Sequence, residues 1–451
     1  MGEQRGITRT PKDPGPAAWR EILGELPGYP RLEGDHTADW LVIGGGYAGL
    51  SAARRLGQLR GGDKVILLEA SLFGAGPAGR NSGFMIDLPH DLGNETYASS
   101  LEVDRKQIML NRHAISFARA AAEEYDMPEE AVAPTGRING ATGDAGEYHN
   151  RSYKAHLKNL DEPYEMLSAD DMERITGTTF YSSGMFLPGA VLLQPALYIT
   201  RLAAGIHRQH APQISLHENS PVLSYTRQGS DWRVVTPNGS VTAPKIILAV
   251  NGHAQSFGFF KGRLMHVFTY ASMTEPLTDD QIKRLGGERR WGVTPSDPMG
   301  SSLRRISGIG GDRITVRNRW TYDASMEVPE ERVARFGRDQ DESFRRRFAS
   351  IGEVRMAYRW AGRLCLSRNS VPAFGEVEDG IISACCQNGL GTAKGTLAGI
   401  GAVDLATRAN SEIVDDMLSY DAPQKLPPEP LASIGANLFL RWREFKARHE
   451  L

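Results

Sequence analysis

Gly44, Gly46 and Gly49 stand at the spacing G-x-G-x-x-G, with Gly45, Tyr47 and Ala48 between them. The apolar run WLVIG precedes them, and alanines and leucines at helical spacing follow. Glu69 closes the next apolar run, VILLE, about twenty residues further on. Strand, glycine turn, helix and a distal acid are the parts that bind a dinucleotide. Gly44 makes the tight turn, Gly46 lets the backbone approach a pyrophosphate, and Gly49 permits close helix packing. The free N–H groups at the helix start then hold the anion. Glu69 accepts hydrogen bonds from a ribose diol and repels a 2′-phosphate, which disfavours NADP. The pattern alone does not separate FAD from NAD. A second glycine-rich run, GAGPAGRNSGF (74–84), puts Arg80, Asn81 and Ser82 further along the path of an extended ligand. No Ser-His-Asp spacing and no metal-ligand spacing compete with this reading, so no metal is expected.

A chain of 451 residues suggests two domains. A 40% hydrophobic, 24% charged composition is that of a globular protein. The formal net charge of −2 provides no basic footprint, which argues against nucleic acid as a partner. No apolar run reaches the ~18 residues of a membrane span. The N-terminus lacks a secretory apolar region, and three cysteines make no disulfide framework. A cytoplasmic location is therefore expected.

The runs at 40–44 and 65–69 with the helix between them form a β-α-β unit. KIILAVNG (245–252) returns to buried-strand composition, and IISACC (381–386) is followed by a glycine-rich turn and a helix. Charged, helix-rich blocks separate these signatures. The expected fold is α/β, a Rossmann-type nucleotide domain of discontinuous segments with an inserted α+β domain carrying a mixed or antiparallel sheet. The expected parts are an arm over 1–37, nucleotide segments 38–93, 190–262 and 355–451, and substrate segments 94–189 and 263–354. The amphipathic stretch LASIGANLFLRWREFKARHE is expected to pack on the nucleotide domain, with partner docking as the other reading.

Four blocks carry a family resemblance: ADWLVIGGGYAGLSAARRL with VILLEA, GAGPAGRNSGF, APKIILAVNGHA, and YRWAGRLCLSRNSVPAFG with NGLGTAKGTLAG. With them the chain resembles the flavin-dependent amine oxidases of the D-amino-acid oxidase and glycine oxidase superfamily. Within it, the chain looks most like the gamma-glutamylputrescine oxidoreductase-like branch. The resemblance implies FAD along the first domain, bounded by the hexad, Glu69 and Ala70. It places Arg80, Asn81 and Ser82 beside the flavin ring and Val222 at the adenine. Asn251, Gly252, Trp360 and Gly362 would pass close to the cofactor. Gly389, Leu390, Gly391 and Thr392 would form a helix start directed at the ring's pyrimidine edge. Gly362 occupies the position of a covalent flavin cysteine in some relatives, so the FAD is expected to be non-covalent. A carboxylate-gripping lysine in some relatives corresponds to Ala393, with Lys394 next to it. A lysine used with oxygen corresponds to Thr315.

The implied reaction is oxidation of a primary or secondary amine or an amino acid. A hydride passes from the α C–H to flavin N5, and the imine hydrolyses. The implied partners are a small-molecule amine and oxygen or another electron acceptor. Arg80, His266, Tyr270 and Arg304 are the side-chain candidates for the chemistry. A flavin-dependent tRNA-modifying enzyme and a non-catalytic FAD-binding subunit are the competing readings. The oligomeric state is left open.

Overall fold

The computed structural model describes residues 3–89, 100–447 and 449–451. The expected boundary at 93–94 lies outside the described residues. The apolar runs form strands buried along their whole length, as strands covered on both faces must be. They make a six-stranded sheet in the order Ile214–His217, Val65–Leu68, Trp40–Ile43, Lys245–Leu248, Ile381–Cys385 and Ala373–Glu378. The first five strands are parallel and the last is antiparallel. Two helices, Tyr47–Leu59 and Gly391–Thr407, lie together against this sheet. They approach so closely that a Cβ on Gly399 would overlap the Ala48 carbonyl oxygen. The start of Tyr47–Leu59 therefore lies against Gly395 and Gly399, in the first half of Gly391–Thr407.

The second sheet has eight strands, in the order Met356–Ser367, Leu264–Thr274, Arg313–Tyr322, Ser302–Ile306, Trp291–Pro295, Arg137–Ala141, Ser183–Leu187 and Glu165–Leu167. All neighbours are antiparallel except Trp291–Pro295 with Arg137–Ala141, so the sheet is mixed. The helix Glu330–Arg347 buries Val333, Phe336 and Phe344 against it. Two segments grouped by sequence with the nucleotide half belong structurally to this layer. Met356–Ser367 is hydrogen-bonded along the strand Leu264–Thr274. The helix Leu431–Lys446 packs on Arg313–Tyr322 rather than on the nucleotide sheet. Its inward residues bond the backbone of that strand, a contact that apolar periodicity does not encode.

The arm is less loose than its Pro and Gly content suggests. Arg5–Gly6 and Gly34–Thr37 form the two edges of a separate five-stranded sheet. Between them the chain crosses to the eight-stranded sheet, where the Ala361 N–H donates to the Pro14 carbonyl at 3.2 Å.

Candidate active site

One continuous cleft runs between the two sheets. Gly44, Gly46, Tyr47, Ala48, Glu69, Ala70 and Val222 line one end, with Asn251 and Gly362 further along. Gly389, Leu390, Gly391 and Thr392 line it where the helix Gly391–Thr407 begins. Neither this helix nor Tyr47–Leu59 has a side-chain cap, so both leave first-turn N–H groups for an anion or a carbonyl. Glu69 accepts from the Gly45 N–H at 2.8 Å and the Ser71 N–H at 2.9 Å. Burial pushes its carboxyl above the ordinary range, against the pull of those two bonds. The oxygen bonded to Gly45 keeps a further lone pair for a diol, while the other also accepts from Ser71 Oγ at 3.3 Å. Gly49 lies outside the lining and acts through packing, since a Cβ there would overlap the Gly44 carbonyl oxygen.

The 74–84 loop is held by its own side chains. Asn81 donates to the Ala78 carbonyl at 2.6 Å and accepts from the Gly83 N–H at 2.7 Å, while facing Tyr47 Oη at 3.3 Å. Arg80 Nε donates to the Ala75 carbonyl at 2.7 Å, and its terminal nitrogens donate to Pro14 at 2.8 Å and Gly15 at 2.9 Å. A longer contact reaches Ala361 at 3.5 Å. Arg80 borders the cleft, and four of its five N–H donors go to backbone carbonyls, which suits a loop-holding role better than a substrate clamp. Ser82 also borders the cleft, and its carbonyl accepts from Arg304 at 3.0 Å. Arg304 is buried behind the loop, outside the lining, and desolvation pushes its guanidinium down to about 10. It fills the space that a Cβ on Gly83 would need, so it shapes the loop rather than touching a ligand.

The second sheet contributes Thr269, Ala271, Thr294, Ser302, Arg317 and Trp320 to the opposite wall. His266 and Tyr270 do not line the cleft. Side chains alternate along a strand, so the face that presents Thr269 and Ala271 turns Tyr270 away. Tyr270 bonds Thr321 Oγ1 at 2.7 Å and packs on Phe336 at 4.6 Å between ring centres. His266 bonds Gln255 at 2.7 Å, and burial pushes its imidazole down to about 3, which keeps it neutral. Gly252 contacts it: a Cβ there would lie 2.7 Å from His266 Nδ1. These two expected site residues meet each other, and neither belongs to the cleft lining. Trp360 is a core residue beside Trp19 and Ala271, donating to the Arg80 carbonyl at 2.9 Å. Ala393, Lys394 and Thr315 are likewise absent from the lining.

Arg317 was not anticipated. Its guanidinium carbon lies 4.9 Å from the Trp320 ring centre. It stands between Ser302 and Ala271 in strand register, in the middle of the wall. Behind Thr294, Arg137 donates to Thr294 Oγ1 at 2.8 Å and also bonds Asn139. The sequence signal was RITVRNRW, a strand with arginines at alternate positions. The arm residues Ile7, Arg9, Thr10, Pro11 and Asp13 also line the cleft. Among the described residues no group of acids, histidines or cysteines is arranged to hold a metal, and no helix is long and apolar enough to cross a membrane.

Residues 39–405 match the family model described as FAD dependent oxidoreductase. The chain belongs to the family of FAD-dependent oxidoreductases. It is 24% identical over 418 residues to the Rhizobium meliloti protein named "Probable oxidoreductase OrdL", covering 90% of this chain and 91% of that one. It is 24% identical over 410 residues to the gamma-glutamylputrescine oxidoreductase of Escherichia coli, covering 87% of this chain and 88% of that one. In structure it is similar to glycine oxidase from Geobacillus kaustophilus, with a TM-score of 0.70 and 16% identity over 87% of this chain and 100% of that one.

The cleft of this oxidoreductase fits FAD. Its two uncapped helix starts and partly satisfied buried carboxylate offer what a pyrophosphate, a flavin carbonyl and a ribose diol require. The arm crosses the same cleft, and Arg80 ties its Pro14 and Gly15 to the loop. Arg80→Met is therefore expected to raise the FAD dissociation rate about tenfold, the effect of losing ~1.4 kcal/mol of net hydrogen bonding. Flavin fluorescence recovery on dilution reads this rate. An unchanged rate would remove the arm from cofactor retention.

Proposed function

We propose that this chain oxidises a primary or secondary amine that also carries a carboxylate. The observation behind this reading is Arg317, set among Thr269, Thr294 and Ser302 on the wall facing the loop and the helix start. A guanidinium on a mostly neutral wall suits a planar carboxylate, which it binds through two parallel hydrogen bonds. The hydroxyls supply short-range donors and acceptors around the rest of the substrate. Bound FAD supplies the two-electron acceptor for the carbon beside the amine. The chain's part is to orient that carbon and to exclude water between the two sheets. The uncapped start of Gly391–Thr407 favours negative charge at its end of the cleft. Two similar proteins bear substrate names, gamma-glutamylputrescine and glycine, that each denote an amine with a carboxylate, which supports the reading.

The test is an anaerobic panel of amines with and without a carboxylate, followed by loss of the visible flavin band. Carboxylate-bearing amines should bleach it fastest. A panel in which no amine bleaches the band overturns an amine-oxidising role.

The FAD is read as non-covalently held. Gly362 presents no side chain to the cleft, and burial raises the Cys365 thiol well above its usual range, keeping the unreactive thiol form. Acid precipitation should release the yellow colour into the supernatant; colour retained in the pellet contradicts this.

A further inference from the structure

The helix Leu431–Lys446 turns its polar and small residues inward. Asn437 accepts from the Tyr322 N–H at 3.0 Å and donates to the Tyr322 carbonyl at 2.9 Å. Glu444 accepts from the Trp320 N–H at 2.8 Å and from Arg319 at 3.1 Å. Ala432, Ala436 and Leu440 pack around these bonds. The opposite face carries Leu431, Ile434, Leu438 and Trp442 at helical spacing, with Phe439 at its edge. They are 64%, 55%, 65%, 49% and 55% exposed respectively. Amphipathic helices normally turn such a stripe toward the core. Scattered exposed apolar residues need no explanation, but a contiguous row of large ones marks an interaction surface. Gly435 lies beside the row, and a Cβ there would meet nothing within 4 Å. Nothing among the described residues accounts for a glycine in mid-helix, where it is a weaker helix former than alanine.

We propose that this face is a two-fold interface between two copies of this chain, with the helices pairing antiparallel about Leu438. Positions equidistant from Leu438 then meet, so Trp442 of each copy rests on Ile434 of the other, beside the notch at Gly435. The same patch serves both copies, as a two-fold contact requires. Five side chains exposing roughly 100 Å² each bury about 500 Å² per copy and about 1,000 Å² in total, which meets the minimum for a biological interface and is the size of a reversible one. The basic end is compatible: Arg443 lies 5.9 Å from the Phe439 ring centre and Lys446 3.9 Å from that of Trp442. Antiparallel pairing brings this end to the other copy's helix start, near Glu429, and keeps like charges apart. A net charge of −2 gives the chain no general attraction to an anionic lipid surface.

Sedimentation equilibrium of the FAD-loaded protein should give about twice the 49.5 kDa chain mass. Leu438→Glu should halve that mass and leave the flavin spectrum unchanged. Leu438→Cys should form a cross-chain disulfide under mild oxidation, because the native cysteines are all buried. A single-chain mass for the unmodified protein, twice that mass for Leu438→Glu, or no Leu438→Cys cross-link would each overturn the proposal. Single chains that pellet with phosphatidylcholine–phosphatidylserine vesicles would assign the face to lipid and overturn it as well.

Discussion

Arg317→Met is expected to lower kcat/KM by about two orders of magnitude for amines that carry a carboxylate. For amines without one, the change should stay within about threefold. Loss of a charge-assisted, bidentate contact in a partly desolvated site costs about 3 kcal/mol, which is roughly a hundredfold. FAD content should not change, because Arg317 stands on the eight-stranded sheet, across the cleft from the glycine turn and Glu69. Methionine keeps much of the apolar stem that packs by Trp320, so the variant removes charge more than volume. Arg317→Lys should recover part of the loss, since it restores the charge but not the planar fork. Steady-state kinetics on matched amines with and without a carboxylate would decide the matter. An equal fall for both classes would mean that Arg317 supports the wall without reading the substrate.

Gly49→Ala should abolish FAD binding and destabilise the nucleotide half by about 3 kcal/mol or more. The added methyl group would overlap the Gly44 carbonyl oxygen. That oxygen cannot retreat easily. Gly44 has φ +105°, and a Cβ on Gly44 would itself lie 2.5 Å from the Ala249 carbonyl oxygen. The turn is thus wedged between its own helix and the neighbouring strand connection, and packing conflicts of this kind are costly. Relief would require the helix start to move away from the turn, taking its first N–H groups off the pyrophosphate position. Flavin absorbance per mole of protein and the urea midpoint of the cofactor-free protein measure the two effects. Full flavin occupancy at an unchanged midpoint would contradict both.

The parts legible in sequence are those under local constraint. A strand, a tight turn and a helix start must follow one another within a few residues to hold a phosphate, and only glycine tolerates the approaches involved. That is why Gly44, Gly46, Glu69 and the 389–392 turn are readable as a row of letters and line the cleft. The 74–84 loop was legible in place but not in role. Whether Arg80 meets a ligand depends on which carbonyls surround it, and three of them come from distant chain segments or the loop's own backbone: Pro14, Gly15 and Ala75. The substrate wall was not legible. On a strand the choice between Tyr270 and its neighbours Thr269 and Ala271 is a choice of face, and it is made by what packs behind the sheet. Phe336 of the helix Glu330–Arg347 claims Tyr270.

By itself the sequence determined the nucleotide-binding half of this protein: the β-α-β unit, the acid after it, and the glycine turns that a long anionic cofactor demands. Tertiary structure alone decided the rest. It brought Arg317 from a strand over two hundred residues past the fingerprint into the same cleft, laid the arm across it, and turned the apolar face of the last helix outward. The physical reason is range. Turn geometry and helix-start chemistry act between residues close in the chain, whereas strand face, sheet pairing and helix orientation are set by contacts between residues far apart in it.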